Sequence, residues 1–216
     1  MKKCIEILNF ILDFLFPTGA AESIPAETLS KKIARKRRRE TVKIPNTIVL
    51  FDYRDILIKK LIWQLKYKGS KKVAKVFAEV LDEYLLEELA ELNMFSSFEN
   101  PLLIPIPLSK IRMRERGFNQ SQRVAQELSE RMPILKLETG VFARVKDTPS
   151  QTSLHGKNMR MESIKGAFAV SDPQKIKGQD VILLDDVITT GSTMNEARHT
   201  LLSAGARKVM CVALAH

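Results

Sequence analysis

Asp185 and Asp186 stand side by side between an apolar run, Val181 to Leu184, and a turn built of Thr189, Thr190, Gly191, Ser192 and Thr193. Each part has its own chemistry. Backbone N–H groups of a small-residue turn, at the start of a helix, make a seat for a phosphate. Carboxylates beside such a seat repel a bare anion, but they accept hydrogen bonds from a diol and attract a divalent cation. A 5-phosphorylated ribose satisfies both demands. Plain helix capping, with Ser192 or Thr193 as N-cap and Asp186 near the helix dipole, is the bland alternative. Capping needs one such residue, not paired acids followed by a glycine and a row of hydroxyls.

A second group of candidates is basic. Lys110, Arg112, Arg114 and Arg116 follow the apolar run Leu102 to Ile106, bounded by prolines. If that run is a strand of the same sheet, its basic exit loop faces the same crevice, and guanidinium forks suit a pyrophosphate. The alternative is a solvated basic turn, with Asn119 or Ser121 capping the next helix. Lys66 and Lys68, in Leu65 to Gly69 (LKYKG), are open to two readings: contact with phosphate or nucleic acid, or a basic turn ending a helix.

DDVITTGST after an apolar strand resembles the PRPP-binding motif of type I phosphoribosyltransferases, and the other blocks resemble the ComF/GntX-like branch of that family. RERGFNQ at Arg114 to Gln120 is one such block. ARVKDTPSQTSL at Ala143 to Leu154, with Arg160 and Gly166 to Phe168, is the next. The likeness spans roughly residues 47 to 216. It implies catalytic Asp185 and Asp186, and PRPP contacts at Val187, Thr189, Thr190, Gly191, Ser192 and Thr193. It further implies a pyrophosphate loop at Ser109, Lys110, Arg112, Arg114 and Arg116, and a flexible loop carrying Arg144, Thr148, Gln151 and Arg160. Closure of that loop would keep water from a cationic transition state at the anomeric carbon.

The implied reaction is transfer of phosphoribose from PRPP, with Mg²⁺, to an unknown nucleophile, with release of pyrophosphate. The alternative is a non-catalytic PRPP- or nucleotide-binding competence factor in DNA uptake or processing, with single-stranded DNA or competence proteins as partners. A transcriptional regulator is a third class, but no helix-turn-helix is visible. The sequence departs from the family pattern in three places. No CxxC pair follows Leu12 to Pro17, so the usual zinc module is missing. Ser163 stands where an asparagine is usual. Thr189 replaces an aspartate that acts on the base in purine-salvage relatives.

The elements that position these residues follow from apolar periodicity. Strands are expected at Thr47 to Tyr53, Leu102 to Ile106, Pro133 to Leu137, Gly140 to Arg144, Gly166 to Val170, Val181 to Leu184 and Lys208 to Ala213. Helices are expected at Asp55 to Leu65, Lys71 to Leu92, after Gln120, and at Ser192 to Ala204, with Gly205 as terminator. Residues 145 to 163 read as a long loop. This alternation predicts an α/β, type I phosphoribosyltransferase fold: a mainly parallel sheet flanked by helices, with ligands beyond the carboxyl ends of the strands.

Residues 1–46 are expected to form an N-terminal amphipathic helix and a basic connector, and residues 47–216 the phosphoribosyltransferase-like domain. Ile5, Leu8, Leu12 and Leu15 lie on one face of that first helix, and Glu6, Asn9 and Asp13 on the other. It is too short to span a bilayer, so no transmembrane segment is expected. Lys31, Lys32 and Arg35 to Arg39 read as a solvated linker or exposed helix, with nucleic-acid contact as the alternative. The chain of 216 residues carries a formal net charge of +10, which favours polyanionic partners. Its only cysteines, Cys4 and Cys211, are too far apart in sequence for a zinc motif, and they fit a reducing, cytoplasmic setting. A homodimer is left open.

Overall fold

The computed structural model describes residues 24–37, 44–96, 98, 100–147 and 164–216. The N-terminal helix, Arg38 and Arg39, and the loop residues Thr148, Gln151, Arg160 and Ser163 lie outside these described residues.

The central strand, β6 (Asp180–Val187), is hydrogen-bonded on both sides. Around it stand β1 (Thr47–Phe51), β2 (Leu102–Pro105), β3 (Lys136–Leu137) and β7 (Lys208–Ala215). The sheet order is β1-β7-β6-β2-β3, and every pairing is parallel. A parallel sheet needs cover on both faces, so its inner strands are apolar at successive positions. Here Ile182, Leu184, Met210, Val212 and Leu214 enter one core, and Val181, Leu183, Val209, Cys211 and Ala213 the other. Period-two alternation therefore splits each strand between two hydrophobic layers.

The first layer is covered by α1 (Ala26–Ala34), α2 (Ile56–Trp63), α3 (Lys71–Ser96) and α5 (Gln120–Arg131). The second is covered by α6 (Ser192–Ser203) and by a small antiparallel pair, β4 (Phe142–Arg144) and β5 (Phe168–Val170). The rings of Phe142 and Phe168 stack across that pair, with centroids 5.2 Å apart. A short helix, α4 (Lys110–Arg116), links β2 to α5, and none of its residues is buried. The sheet flanked by helices is the arrangement the sequence predicts.

Several local expectations change. The basic segment from Lys31 to Arg37 is not simply solvated, because α1 buries Leu29 and Ile33 completely against the first core. These two residues lie one turn apart, and a narrow apolar stripe suffices to dock a helix despite the charges around it. Some of the charges are spent internally: Lys36 reaches Asp55 at 2.5 Å, and the Arg37 guanidinium lies 4.9 Å from the Tyr84 ring centre. The basic exit loop after β2 is largely helical, capped by Ser109 and ended by Gly117 in the left-handed region. The expected turn at Lys66 to Gly69 is a π-helical extension of α2, Gln64–Lys68. Among the described residues, no helix is long and apolar enough to cross a membrane.

Candidate functional site

The amino end of α5 meets the carboxyl end of β6 through Ser121 and the segment after β2 through Asn119, and a turn leads from β6 to the amino end of α6. Pairing continues past the apolar run, so Asp185 lies opposite Ala213 and Val187 opposite Ala215. The two acids are therefore inside the strand's last turn of pairing and not beyond it, as the sequence pattern suggested. Sheet bonding fixes their backbone, which a loop would not do.

Asp185 is half-buried and Asp186 buried. Asp185 Oδ1 accepts from the Ser121 hydroxyl at 3.1 Å and from the Asp186 backbone N–H at 2.8 Å. Asp186 Oδ1 lies 3.2 Å from Lys66 Nζ. Asp186 Oδ2 is shut away from solvent and has no hydrogen-bond partner. An orphaned buried carboxylate oxygen costs on the order of 1–3 kcal/mol. Burial, and then the neighbouring Asp186 charge, push the Asp185 carboxyl up to about 7. A carboxyl raised by burial and a neighbouring like charge is a candidate for a functional role.

Asp180, at the other end of the same strand, is the contrasting case. It meets Arg207 in a fork, with Arg207 Nε at 2.9 Å from Oδ1 and Nη2 at 2.5 Å from Oδ2. Both of its oxygens are engaged by this one side chain, so Asp180 reads as structural.

The turn after β6 reaches α6 through Gly191, whose φ of +78° favours glycine. A Cβ there would fall 2.5 Å from Ile44 Cδ1, so a side chain would have to push that methyl aside as well as adopt an unfavourable backbone conformation. Gly191 is the N-cap of α6, and no side chain caps it. The capping role open to Ser192 or Thr193 is thus not realised. The Thr190 and Ser192 hydroxyls lie 3.1 Å apart, and Thr189 and Thr190 are exposed. Hydroxyls and uncapped helix N–H groups thus occur together at one exposed turn, which can receive an anion.

The basic residues distribute unevenly. Arg144 is buried at the end of β4; its titration is drawn down by burial and by Arg112, and up by Asp185 and Asp147. Arg144 is therefore close enough to feel both Arg112 and Asp185. Lys110 and Arg114 are exposed on α4. Arg116 is diverted: its guanidinium lies 5.4 Å from the Tyr67 ring centre and donates to Gln120 Oε1 at 2.8 Å. The Ile111 N–H donates to Asp147 Oδ1 at 3.3 Å, joining α4 to the chain leaving β4. Among the described residues, no group of three or more His, Cys, Asp or Glu side chains could hold a metal ion.

Two site residues escaped the sequence reading in their actual role. Ser121 was open only as a cap; the cap is Asn119, which accepts from the Ser121 and Gln122 N–H groups and leaves the Ser121 hydroxyl for Asp185. The sequence leaves Lys66 either as a phosphate or nucleic-acid contact or as part of a basic turn ending a helix; in the structure it lies in the helix-ending segment and meets Asp186. Neither contact has a local sequence signal, because each joins segments far apart in the chain.

The sheet flanked by helices is accompanied by a family match: the model of the phosphoribosyl transferase domain matches residues 114–216. Competence protein F of Haemophilus influenzae is 37% identical over 114 residues, covering 52% of this chain and 49% of that protein. DNA utilization protein YhgH of Escherichia coli O6:H1 is 33% identical over 150 residues, covering 69% of this chain and 63% of the relative. Competence protein ComFC of Bacillus subtilis is 26% identical over 208 residues, covering 94% and 77%. The chain thus spans from about half to under two thirds of the length of the first two relatives. It belongs to the ComF-like family of phosphoribosyltransferase proteins, with the type I fold.

Proposed function

We propose that this chain binds PRPP and transfers its phosphoribosyl group to an acceptor nucleophile, releasing pyrophosphate. The observation that carries this reading is the buried, partnerless Asp186 Oδ2, next to a turn whose helix has no side-chain cap. A ribose hydroxyl donating to that oxygen would remove the desolvation cost of leaving it unpaired. Asp185 and Asp186 take the diol. Thr190, Gly191, Ser192 and Thr193 take the 5-phosphate through N–H and hydroxyl groups, with Val187 and Thr189 shaping the approach. Ser109, Lys110, Arg112 and Arg114 take the pyrophosphate side, while Arg116 is held away from it by Gln120 and Tyr67. Arg144 lends positive charge between the two. Thr148, Gln151 and Arg160 belong to the segment proposed to cover the site.

As the C1–pyrophosphate bond breaks, positive charge develops at C1, and the Asp185/Asp186 pair stabilises it at short range. The acceptor's lone pair forms the new bond to C1, and its proton leaves to solvent or to the departing pyrophosphate. No side chain forms a covalent intermediate in this scheme. The carboxylate oxygens suit the hydration shell of a divalent cation, but no donor cluster among the described residues holds one directly. Asp185 and Asp186 would hold the water shell of such a cation, which would supply charge neutralisation for the leaving pyrophosphate.

Calorimetry with PRPP and Mg²⁺ tests the pocket. Pyrophosphate release, scanned over nucleobases and amines, tests turnover. Absence of PRPP binding at millimolar concentration sinks the reading; binding without turnover reduces it to a sensor.

A second reading, a non-catalytic factor in DNA uptake or processing, is favoured by one feature. Trp63 and Tyr67 lie 5.6 Å apart at the edge of the site, with Lys68 over the Trp63 ring and Arg116 over that of Tyr67. Aromatic faces mixed with cations suit single-stranded nucleic acid. Relatives bearing competence and DNA-utilization names agree with that reading. Anisotropy with a labelled single strand, compared with Tyr67→Ala and measured across salt concentrations, separates the two. Binding that ignores Tyr67 removes the support.

A further inference from the structure

We propose that Lys66 is a positioning residue of this site: its grip on Asp186 Oδ1 fixes the carboxylate with Oδ2 toward the ligand's hydroxyls and balances the acidic pair against an anionic sugar phosphate. The inference rests on the reading of Asp185 and Asp186 as the diol contact.

The reach of Lys66 comes from the π-helical turn. Gln64–Lys68 continues α2 with a wider winding, closed by the Gly69 N–H donating to Gln64 O. Short π segments recur at functional sites because they redirect side chains without breaking a helix. Here Lys66 is turned inward, its side chain 19% exposed, while Tyr67 remains 44% exposed.

The turn is braced by the helix that also holds Asp185. Gly69 has φ +58°, and a Cβ on it would fall 2.9 Å from both the Phe118 ring and Arg123 Nη1. Arg123 donates to Gly69 O, and its guanidinium lies 4.2 Å from the centre of the Phe118 ring. Asn119 ties the start of α5 to Ile106 O at 2.9 Å, and Ser121 donates to Asp185. The beginning of α5 therefore references both carboxylates: Asp185 through Ser121, and Asp186 through Arg123, Gly69 and Lys66. A surface cation meant only to neutralise a buried acid needs no such scaffold.

Charge explains why the pair needs it. Adjacent carboxylates cannot both ionise cheaply in a site of low polarity. Near them stand Lys66 from the π turn and Arg144 from β4, which in turn feels Arg112 from α4. Arg123 on α5 is engaged with Gly69, and His216 follows β7 with its backbone bonded to Phe51 and Tyr53. Lys66 Nζ lies within ion-pair distance of Asp186 Oδ1.

The test compares the wild-type chain with Lys66→Arg, Lys66→Gln and Lys66→Met, titrating PRPP with Mg²⁺ from pH 6 to 9. Carboxyl ¹³C shifts of Asp185 and Asp186 are followed in the ligand-free proteins, and thermal melting reports on the fold. Loss of one charged contact predicts roughly tenfold weaker PRPP binding near neutral pH for Gln and Met. Their acid limb of binding should move to higher pH, with most of the affinity restored by Arg. The ligand-free carboxyl transition should move the same way. An unmoved carboxyl transition in Lys66→Gln overturns the proposal whether or not PRPP binds. Wild-type failure to bind PRPP, with a shifted transition in Lys66→Gln, would instead sink the diol reading and leave Lys66 as a charge partner only.

Discussion

The Ser121 hydroxyl donates to Asp185 Oδ1 at 3.1 Å across 64 positions of sequence. This contact fixes the start of α5 to the end of β6, so the arginine-rich block and the acidic pair form one unit. It also favours the ionised form of a carboxyl that burial and the Asp186 charge push up to about 7. Ser121→Ala should therefore raise the pH needed for PRPP binding. The expected defect is several-fold at pH 7 and shrinks by pH 8.5. A defect equal at both values would deny the hydrogen bond this role.

Asp185 also sets a cost in the unliganded protein. Its folded-state pKa lies above its unfolded value of 3.8, so the native state holds a proton that the unfolded chain releases. Native stability from this group is present below about pH 4 and is lost as pH rises toward 7. Asp185→Asn keeps an acceptor for Ser121 and the Asp186 N–H while removing the charge. It should stabilise the chain at pH 8 by about 2 kcal/mol and abolish PRPP binding. Denaturant melts at pH 5 and pH 8 check the sign: the gain must appear at the higher pH.

Gly191→Ala should disrupt the turn for two separable reasons. The φ of +78° costs about 1 kcal/mol for a residue with a Cβ. Overlap with Ile44 adds to this, the methyl lying 2.5 Å from Cδ1. Combining it with Ile44→Ala should relieve the overlap but not the backbone strain, so stability measured by urea melting recovers only in part. Full recovery would mean that φ is not a constraint here.

Arg207→Met provides a control remote from the site. It leaves Asp180, whose side chain is fully buried, without its fork, at a cost of about 2 kcal/mol given that Arg207 is itself partly exposed. PRPP affinity, measured where the variant remains folded, should not change. A change in affinity would mean that the strand transmits strain from one end to the other.

Cys211 should resist thiol reagents. Burial pushes its thiol up to about 11, against weaker opposing help from Thr47 and Arg198. In a Cys4→Ser background, labelling should wait for denaturant. Rapid labelling of the native protein would show that β7 opens readily.

Much of this protein follows from local pattern. The apolar runs of β6 and β7 need cover on two faces, which alone dictates a parallel sheet between layers, and a glycine among hydroxyls before a helical stretch locates the turn. These features are periodic or contiguous, so they survive as sequence. What tertiary structure decided is pairwise and long-range. Asp185 and Asp186 look equivalent in the chain, yet packing gives one the Ser121 hydroxyl and the other Lys66, and buries Oδ2 of Asp186 without a donor. Arg116, indistinguishable in sequence from Arg112 and Arg114, is drawn away by Tyr67 and Gln120. Leu29 and Ile33 are hidden among charges until α3 offers them a surface. Hydrophobic periodicity reports which face an element buries; which polar atom meets which depends on how separate elements converge, and no single segment encodes that.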